Sequence, residues 1–371
     1  MAHVEDRWMV PGPTGRKVKG PRHGQGSRWL AVWHEVDGRR RKRAFRTKDA
    51  AEAHLETVGV ELRSGTYIAP ERAAITLRDM AERWYDEQVH QRATSLAVVR
   101  RRLDRTILPT LGDKPLSAID RTTIQAAVTE WTKSLAPATV RVAYIYLAGI
   151  CSLAVEERRI PTSPCRKINL PAIETLPVVP MTVVQVQHLI DALWKPYQRM
   201  AVLAAASGLR SGELRGLTWD RVTLTDFGAQ IRVDRQMTST ASSRPAWGPL
   251  KTDSSVRTVS IGKATADALG DPGTGLVFTT GQGRAITRGM ASTAWRAAGA
   301  KIGLEEGTGW HELRHFHASV LIAGGASPVA VAHRLGHKSP QETLATYAHL
   351  WVDDEERMRV ASDGLVALPA D

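Results

Sequence analysis

A mainly α fold with small β-sheets (α+β), divided among a small sheet-plus-helix module, an all-α module and a larger mixed module, is what the 371-residue sequence predicts. Three observations predict it. Strand-like alternation with a hairpin turn occupies 28–46, helical apolar spacing runs through 76–165, and beyond Thr182 strand-like runs are confined to 230–261. The length is itself a prior for two or three domains.

Taken in order, residues 1–26 are rich in Gly, Pro and basic side chains without periodicity, and are expected to be a flexible basic N-terminus. Module 27–70 begins with the alternation of 28–36, turns at Asp37-Gly38, returns through 39–46, and ends in a helix from Lys48 to about Ser64. In 74–168 the stripe Leu77, Met80, Ala81, Trp84 and Tyr85 predicts one helix. Asp120 predicts the cap of another, and 140–155 a further long one. Pro171, Pro177 and Pro180 mark 169–180 as a linker. The last module, 181–352, opens on a capping box at Thr182 and Gln185, and a tail follows at 353–371, charged and then apolar.

Composition narrows the function class. The net charge of +12 and a pI near 10.0 favour a polyanionic partner. The excess lies upstream: 1–70 carry 14 Lys+Arg against 8 Asp+Glu, whereas the residues after 180 carry 20 against 18. Charge alone would fit a solvated basic face equally well. Two cysteines, Cys151 and Cys165, offer neither a disulfide framework nor metal spacing, and read as reduced structural thiols. The start lacks a signal-peptide pattern, and no apolar run is expected to span a membrane, so a cytoplasmic enzyme is expected.

Chemistry concentrates in Arg210, Lys251, His311, Arg314, His337 and Tyr347. Phosphoryl transfer spreads negative charge over equatorial oxygens, and fixed donors stabilise it. Two guanidiniums match phosphate bidentately and stay charged. Arg210 follows the glycine break of Ser207-Gly208-Leu209, His311 and Arg314 lie three apart, and Leu335-Gly336-His337 stands ten residues before Tyr347. His311 to His315 also spells H-E-x-x-H, a zinc-hydrolase pattern. That reading sets Arg314 beside a dication and lacks the third histidine at Leu321, so His315 and His317 read as packing or hydrogen-bonding residues. No metal or other cofactor is expected.

In order and spacing these segments resemble the arginine box, the His-x-x-Arg box, the Leu-Gly-His box and the nucleophile segment of tyrosine recombinases of the phage integrase family. The resemblance implies that Arg210 and Arg314 clamp a scissile DNA phosphate, that Tyr347 attacks it, and that Lys251 protonates the leaving 5′ oxygen. It further implies that His311 accepts the Tyr347 proton, that His337 donates to a non-bridging oxygen, and that Glu213 orients donors behind Arg210. A 3′-phosphotyrosyl intermediate would conserve the bond energy without ATP.

The resemblance also implies an N-terminal three-stranded-sheet-plus-helix domain for arm-type DNA, an all-α core-binding domain, a mixed catalytic domain, and a tail that docks on a neighbouring protomer. Arg39, Arg40, Arg41, Lys42 and Arg43 would engage arm DNA, and Arg100, Arg101 and Arg105 the core. The implied partners are core-type and arm-type attachment-site DNA, a homotetramer on paired sites, a host DNA-bending factor and an excisionase, with no membrane. The implied activity is phage-type integration and excision. A chromosome-dimer or plasmid-resolving recombinase, or a silent DNA-binding relative, are the alternatives.

Overall fold

The computed structural model describes residues 2–12, 16–35, 37–174, 176–239, 245–250, 252–351, 359–360 and 362–363. The chain divides into two compact units, Met1–Ile173 and Glu174–Asp371.

The first unit begins with β1 (His3–Asp6), β2 (Met9–Pro11), β3 (Lys17–Lys19), β4 (Trp29–His34) and β5 (Arg40–Phe45). β1, β4 and β5 form an antiparallel sheet in the order β1-β4-β5, while β2 and β3 make a separate hairpin. Among the described residues of 1–26, expected to be flexible, three short strands are present. A three-residue strand has too few side chains to show alternation, and β1 is fixed by partners far along the chain. Val4 packs with Trp29, Trp33 and Phe45, and Asp6 is paired with Arg28 at 2.9 Å. Helix α1 (Lys48–Ser64) covers one face, with Ala51 and Val58 buried; Thr47 caps it and left-handed Gly65 ends it.

Next come α2 (Pro70–Ala73), α3 (Leu77–Asp86), α4 (Ala93–Arg102), a π-turn at Leu103–Ile107, α5 (Leu108–Leu111), α6 (Arg121–Thr132) and α7 (Pro137–Glu156). The expected stripe is present in α3, whose Leu77, Met80 and Ala81 are buried, and Asp120 caps α6 as expected. Helix α7 has 20 residues and is apolar and long enough to cross a membrane, a length that the expected 140–155 understated. Here its Val140, Ala143, Leu147, Ile150, Cys151 and Ala154 supply the helical core.

The second unit contains α8 (Val183–Ala192), α9 (Lys195–Ser207), α10 (Ser211–Arg215), β6 (Val222–Thr225), β7 (Gly228–Val233), β8 (Arg235–Ser239), β9 (Pro245–Pro249), β10 (Arg257–Gly262), α11 (Lys263–Ala268), α12 (Arg288–Lys301), α13 (Glu312–Ala323), α14 (Pro328–Leu335) and α15 (Pro340–Tyr347). The capping box at Thr182 and Gln185 opens α8. An antiparallel sheet of order β10-β7-β6 is accompanied by the β8–β9 hairpin. Strand structure thus begins at Val222, before the expected 230. Gly228 permits this: with φ +142 it turns β6 into β7, and a Cβ there would sit 2.1 Å from the Ile261 carbonyl oxygen. The apolar core runs from Leu189 and Met200 through Ile231 and Val259 to Trp295 and Leu313.

Candidate active site

Two left-handed glycines build the frame. Gly208 (φ +66) ends α9, and Gly336 (φ +68) ends α14. A Cβ at Gly208 would lie 2.7 Å from both His317 Cδ2 and Leu335 Cδ2, and one at Gly336 would lie 3.0 Å from Arg257 Nη1. Their carbonyls then anchor the two arginines. Arg314 Nη1 donates to Gly208 O at 2.8 Å, and Arg210 Nη2 donates to Gly336 O at 3.0 Å.

Arg210 stands at the N-cap of α10. Its backbone N–H and Nη1 donate to Glu213 at 2.9 and 3.1 Å. Glu213 also accepts from Arg257 Nη1 and Nη2 at 3.2 and 2.9 Å, and Arg257 Nε donates to Arg334 O. Arg257 was missing from the expected set. It lies six residues after Lys251, on β10, but alternation along a strand does not distinguish a buried guanidinium from an apolar side chain. Burial pushes the Glu213 carboxyl up, yet Arg257 and Arg210 outweigh it and hold the group below the ordinary range.

Arg314 is 2% exposed, and its Nη2 has no hydrogen-bond partner. Burial and neighbouring Arg210 press its pKa down to about 9. Arg210 and Arg257 share the carboxylate of Glu213, and Arg314 beside them makes no ion pair among the described residues, so three guanidiniums gather around one carboxylate. Such an excess is costly in a packed interior unless an anion compensates it.

Tyr347, at the end of α15, is 1% exposed, and burial pushes its hydroxyl up to about 12. Its Oη lies 2.7 Å from His315 Nδ1. This corrects the expected pairing with His311. His311 caps α13 one turn earlier, its imidazole meets His315 edge to face with centroids 4.7 Å apart, and it makes no hydrogen bond to Tyr347 among the described residues. Although the His311 residue reaches solvent, desolvation of its ring, His315 and Arg314 hold it at about 4. His315 is expected to pack or hydrogen-bond, and it does hydrogen-bond, with the Tyr347 hydroxyl as the partner that the expectation did not name. Nothing local in the sequence marks that partner, because Tyr347 lies 32 residues further along the chain.

His337 follows Gly336, is half-buried, and shares a 2.7 Å hydrogen bond between Nδ1 and Thr343 Oγ1. Burial and Arg314 bring its pKa to about 4, so it is neutral. Lys251 and the apolar tail at 364–371 lie outside the described residues, as do 352–358.

The expected DNA contacts divide. On β5, strand alternation and the pairing of Val32 with Lys42 and His34 with Arg40 put Arg40 and Lys42 on the face opposite α1, where both are exposed with His34 and Arg40 is paired with the part-exposed Glu5 of β1. Arg41 and Arg43 turn to the α1 side. Arg41 donates to Glu35 and Glu71, and Arg43 lies over Phe45, so Arg41 is corrected from a DNA contact to a structural cation. Arg39, beside the turn, is exposed and paired with Asp37. Arg100 is likewise corrected, since Glu82 and Asp104 neutralise it. Arg101 and Arg105 are exposed and have no carboxylate partner among the described residues.

This arrangement has counterparts. Residues 180–353 match the Phage integrase family and residues 77–170 match the Phage integrase central domain. The integrase of Mycobacterium phage L5 is 26% identical over 286 residues, covering 73% of this chain and 75% of its own. In structure, the chain resembles the Tn1549 transposon integrase solved with a circular intermediate DNA, with a TM-score of 0.68 at 18% identity over 78% of this chain and all of the other. It also resembles a lambda integrase dimer bound to a core site, with a TM-score of 0.57 at 16% identity over 98% of this chain and 97% of the other. The two domain matches in sequence and the shared fold make this chain a member of the phage integrase family of tyrosine recombinases.

Proposed function

We propose that this recombinase integrates and excises a phage-type genome at attachment sites, cutting and rejoining DNA through a phosphotyrosine at Tyr347. One observation carries the assignment of the centre: Arg314, buried with an unpartnered Nη2, stands beside Arg210 with no carboxylate of its own. A scissile phosphate supplies the missing charge and accepts forked donors from both arginines. Glu213 and Arg257 fix Arg210, and neutral His337 is available to hydrogen bond a phosphate oxygen. Lys251 is the donor to the leaving 5′ oxygen.

Since Tyr347 is buried in the free chain, DNA binding must bring it outward before attack. Each chain offers one such nucleophile, and exchange between two duplexes cuts four strands, which argues for a tetramer on paired sites. Core DNA is met by the helical domain through Arg101 and Arg105. Arm DNA is met by Arg40 and Lys42, and a host bending factor and an excisionase set the direction.

The test uses a nicked duplex carrying the attachment core read from the junctions of the integrated element. The native chain should accumulate a covalent DNA adduct mapping to Tyr347, and Tyr347→Phe should bind the duplex while forming none. The adduct should also form in EDTA, because the charge on the phosphate is met by guanidiniums. An adduct in the Phe variant would refute the nucleophile.

A further inference from the structure

The residue in hydrogen-bond contact with the Tyr347 hydroxyl is His315, and no role in the chemistry attaches to it so far. It is the second imidazole of α13, directly after Arg314. Its Nδ1 is 2.7 Å from Tyr347 Oη, and the two rings stand edge to face at 5.6 Å. His311 packs on its other side at 4.7 Å, so the three rings form a contiguous row, with His315 between His311 and the phenol.

We propose that His315, through Nδ1, takes the proton of Tyr347 as that hydroxyl attacks the scissile phosphate. The proposal rests on the reading of Tyr347 as nucleophile. The charged and titratable groups around the pair are known: Arg314, His311 and Glu312 from α13 and its cap, and Tyr347 itself from α15. Burial and Arg314 lower the pKa of His315, which keeps the imidazole neutral near pH 7 with a lone pair available. Burial keeps the phenol protonated, with Arg314 pulling the other way and favouring phenolate. The hydroxyl therefore donates to Nδ1, the geometry a general base requires.

The step balances. The bond from Oη to phosphorus forms as the bond from phosphorus to the 5′ oxygen breaks. The hydroxyl proton goes to His315 Nδ1, and the 5′ oxygen leaves with a proton from Lys251. Religation reverses both transfers, and His315 returns its proton to Tyr347. A base below its ordinary pKa cannot ionise the phenol beforehand, so the transfer accompanies attack. Arg314, which both touches the phosphate and precedes His315 on α13, links charge stabilisation to deprotonation.

The experiment compares the full-length native chain with His315→Ala and His315→Asn on the nicked core duplex. Asparagine sets an acceptor oxygen near the Nδ1 position but cannot take a proton there. Both variants should bind the duplex within about twofold of the native chain, and both should form adduct at least roughly a hundredfold more slowly. The acidic limb of the native rate profile, where His315 is protonated, should vanish in both. A duplex with sulfur in place of the 5′ bridging oxygen, whose leaving group needs no proton, should not restore either rate.

Adduct formation by His315→Asn within threefold of native would reduce His315 to a positioning hydrogen bond and overturn the proposal. Faster adduct formation by His315→Ala would make the contact a latch, and rescue by the sulfur duplex would move the defect to the leaving group. Either result also overturns it. A native adduct mapped away from Tyr347 would instead remove the nucleophile assignment on which the proposal rests.

Discussion

Glu213 and Arg257 face each other through two hydrogen bonds of 2.9 and 3.2 Å, and each side chain is only 2% exposed. Glu213 is thereby held at a fixed distance behind Arg210. Losing one partner of a buried pair strands a charge, which costs about 3–5 kcal/mol. Glu213→Gln should lower unfolding stability by that order in denaturant titrations, and should slow adduct formation because Arg210 loses its brace. A stability change below about 1 kcal/mol would show that the pair does not carry the frame.

Arg210 and Arg314, the two arginines proposed to clamp the phosphate, should not tolerate lysine. Arg210 divides its guanidinium between Glu213 and Gly336 O, and Arg314 uses one nitrogen for Gly208 O while another stays unpartnered. A single ammonium cannot hold the backbone carbonyl and also present a fork to phosphate. Arg210→Lys and Arg314→Lys should each reduce single-turnover cleavage at least roughly a hundredfold, with DNA affinity nearly kept. Near-native cleavage in both variants would remove the clamp.

Why Arg210, Arg314, His337 and Tyr347 were legible in the sequence is physical: each sits beside a glycine break or at a fixed helical offset, and both features are local. Asp120 and Thr182 announced their helices for the same reason, since a cap is written within four residues. The link of His315 to Tyr347 and that of Arg257 to Glu213 escaped because the partners lie 32 and 44 residues apart. Strand β1 escaped likewise, for its pairing with β4 is long-range and its four residues show little pattern. Arg41 and Arg100 were misread for a related reason. A run of like charges shows where cations are, while the acids that neutralise Arg41 come from Glu35 on the loop after β4 and Glu71 on α2.

His317 makes stability depend on pH. Arg334 Nε can only donate, so His317 Nε2 accepts at 3.3 Å and the proton resides on Nδ1, facing Ala205 O at 3.0 Å. Protonating Nε2 would set a second cation against Arg334. Burial first, and then Arg334, lower the pKa from 6.5 to about 4. The unfolded chain thus binds more protons between those values. The stability from neutral His317 is complete above about pH 6.5 and is lost as pH falls toward 4. Melting temperature should drop across that window, and His317→Gln should flatten the dependence. An unchanged slope in the variant would mean that other groups set it.

The N-terminal sheet offers a test in which neighbouring residues should behave oppositely. Arg40 and Lys42 point away from α1 and are exposed, Arg40 sharing the part-exposed Glu5, whereas Arg41 is held by Glu71 and by Glu35, whose side chain is nearly buried. If the open face meets arm DNA, replacing Arg40 and Lys42 together by Ala should weaken arm binding. It should also reduce the slope of log affinity against log salt by about 0.9 for each phosphate that is no longer neutralised. Core-duplex adduct formation should persist, because every residue of the proposed catalytic set lies in the second unit. Arg41→Ala should leave that slope unchanged and instead lower the melting temperature, since it leaves Glu35, whose side chain is 8% exposed, without its cation. Filter binding or fluorescence anisotropy over a salt series separates the two. Equal slopes in the Arg40/Lys42 variant and the native chain would return those cations to a solvated face.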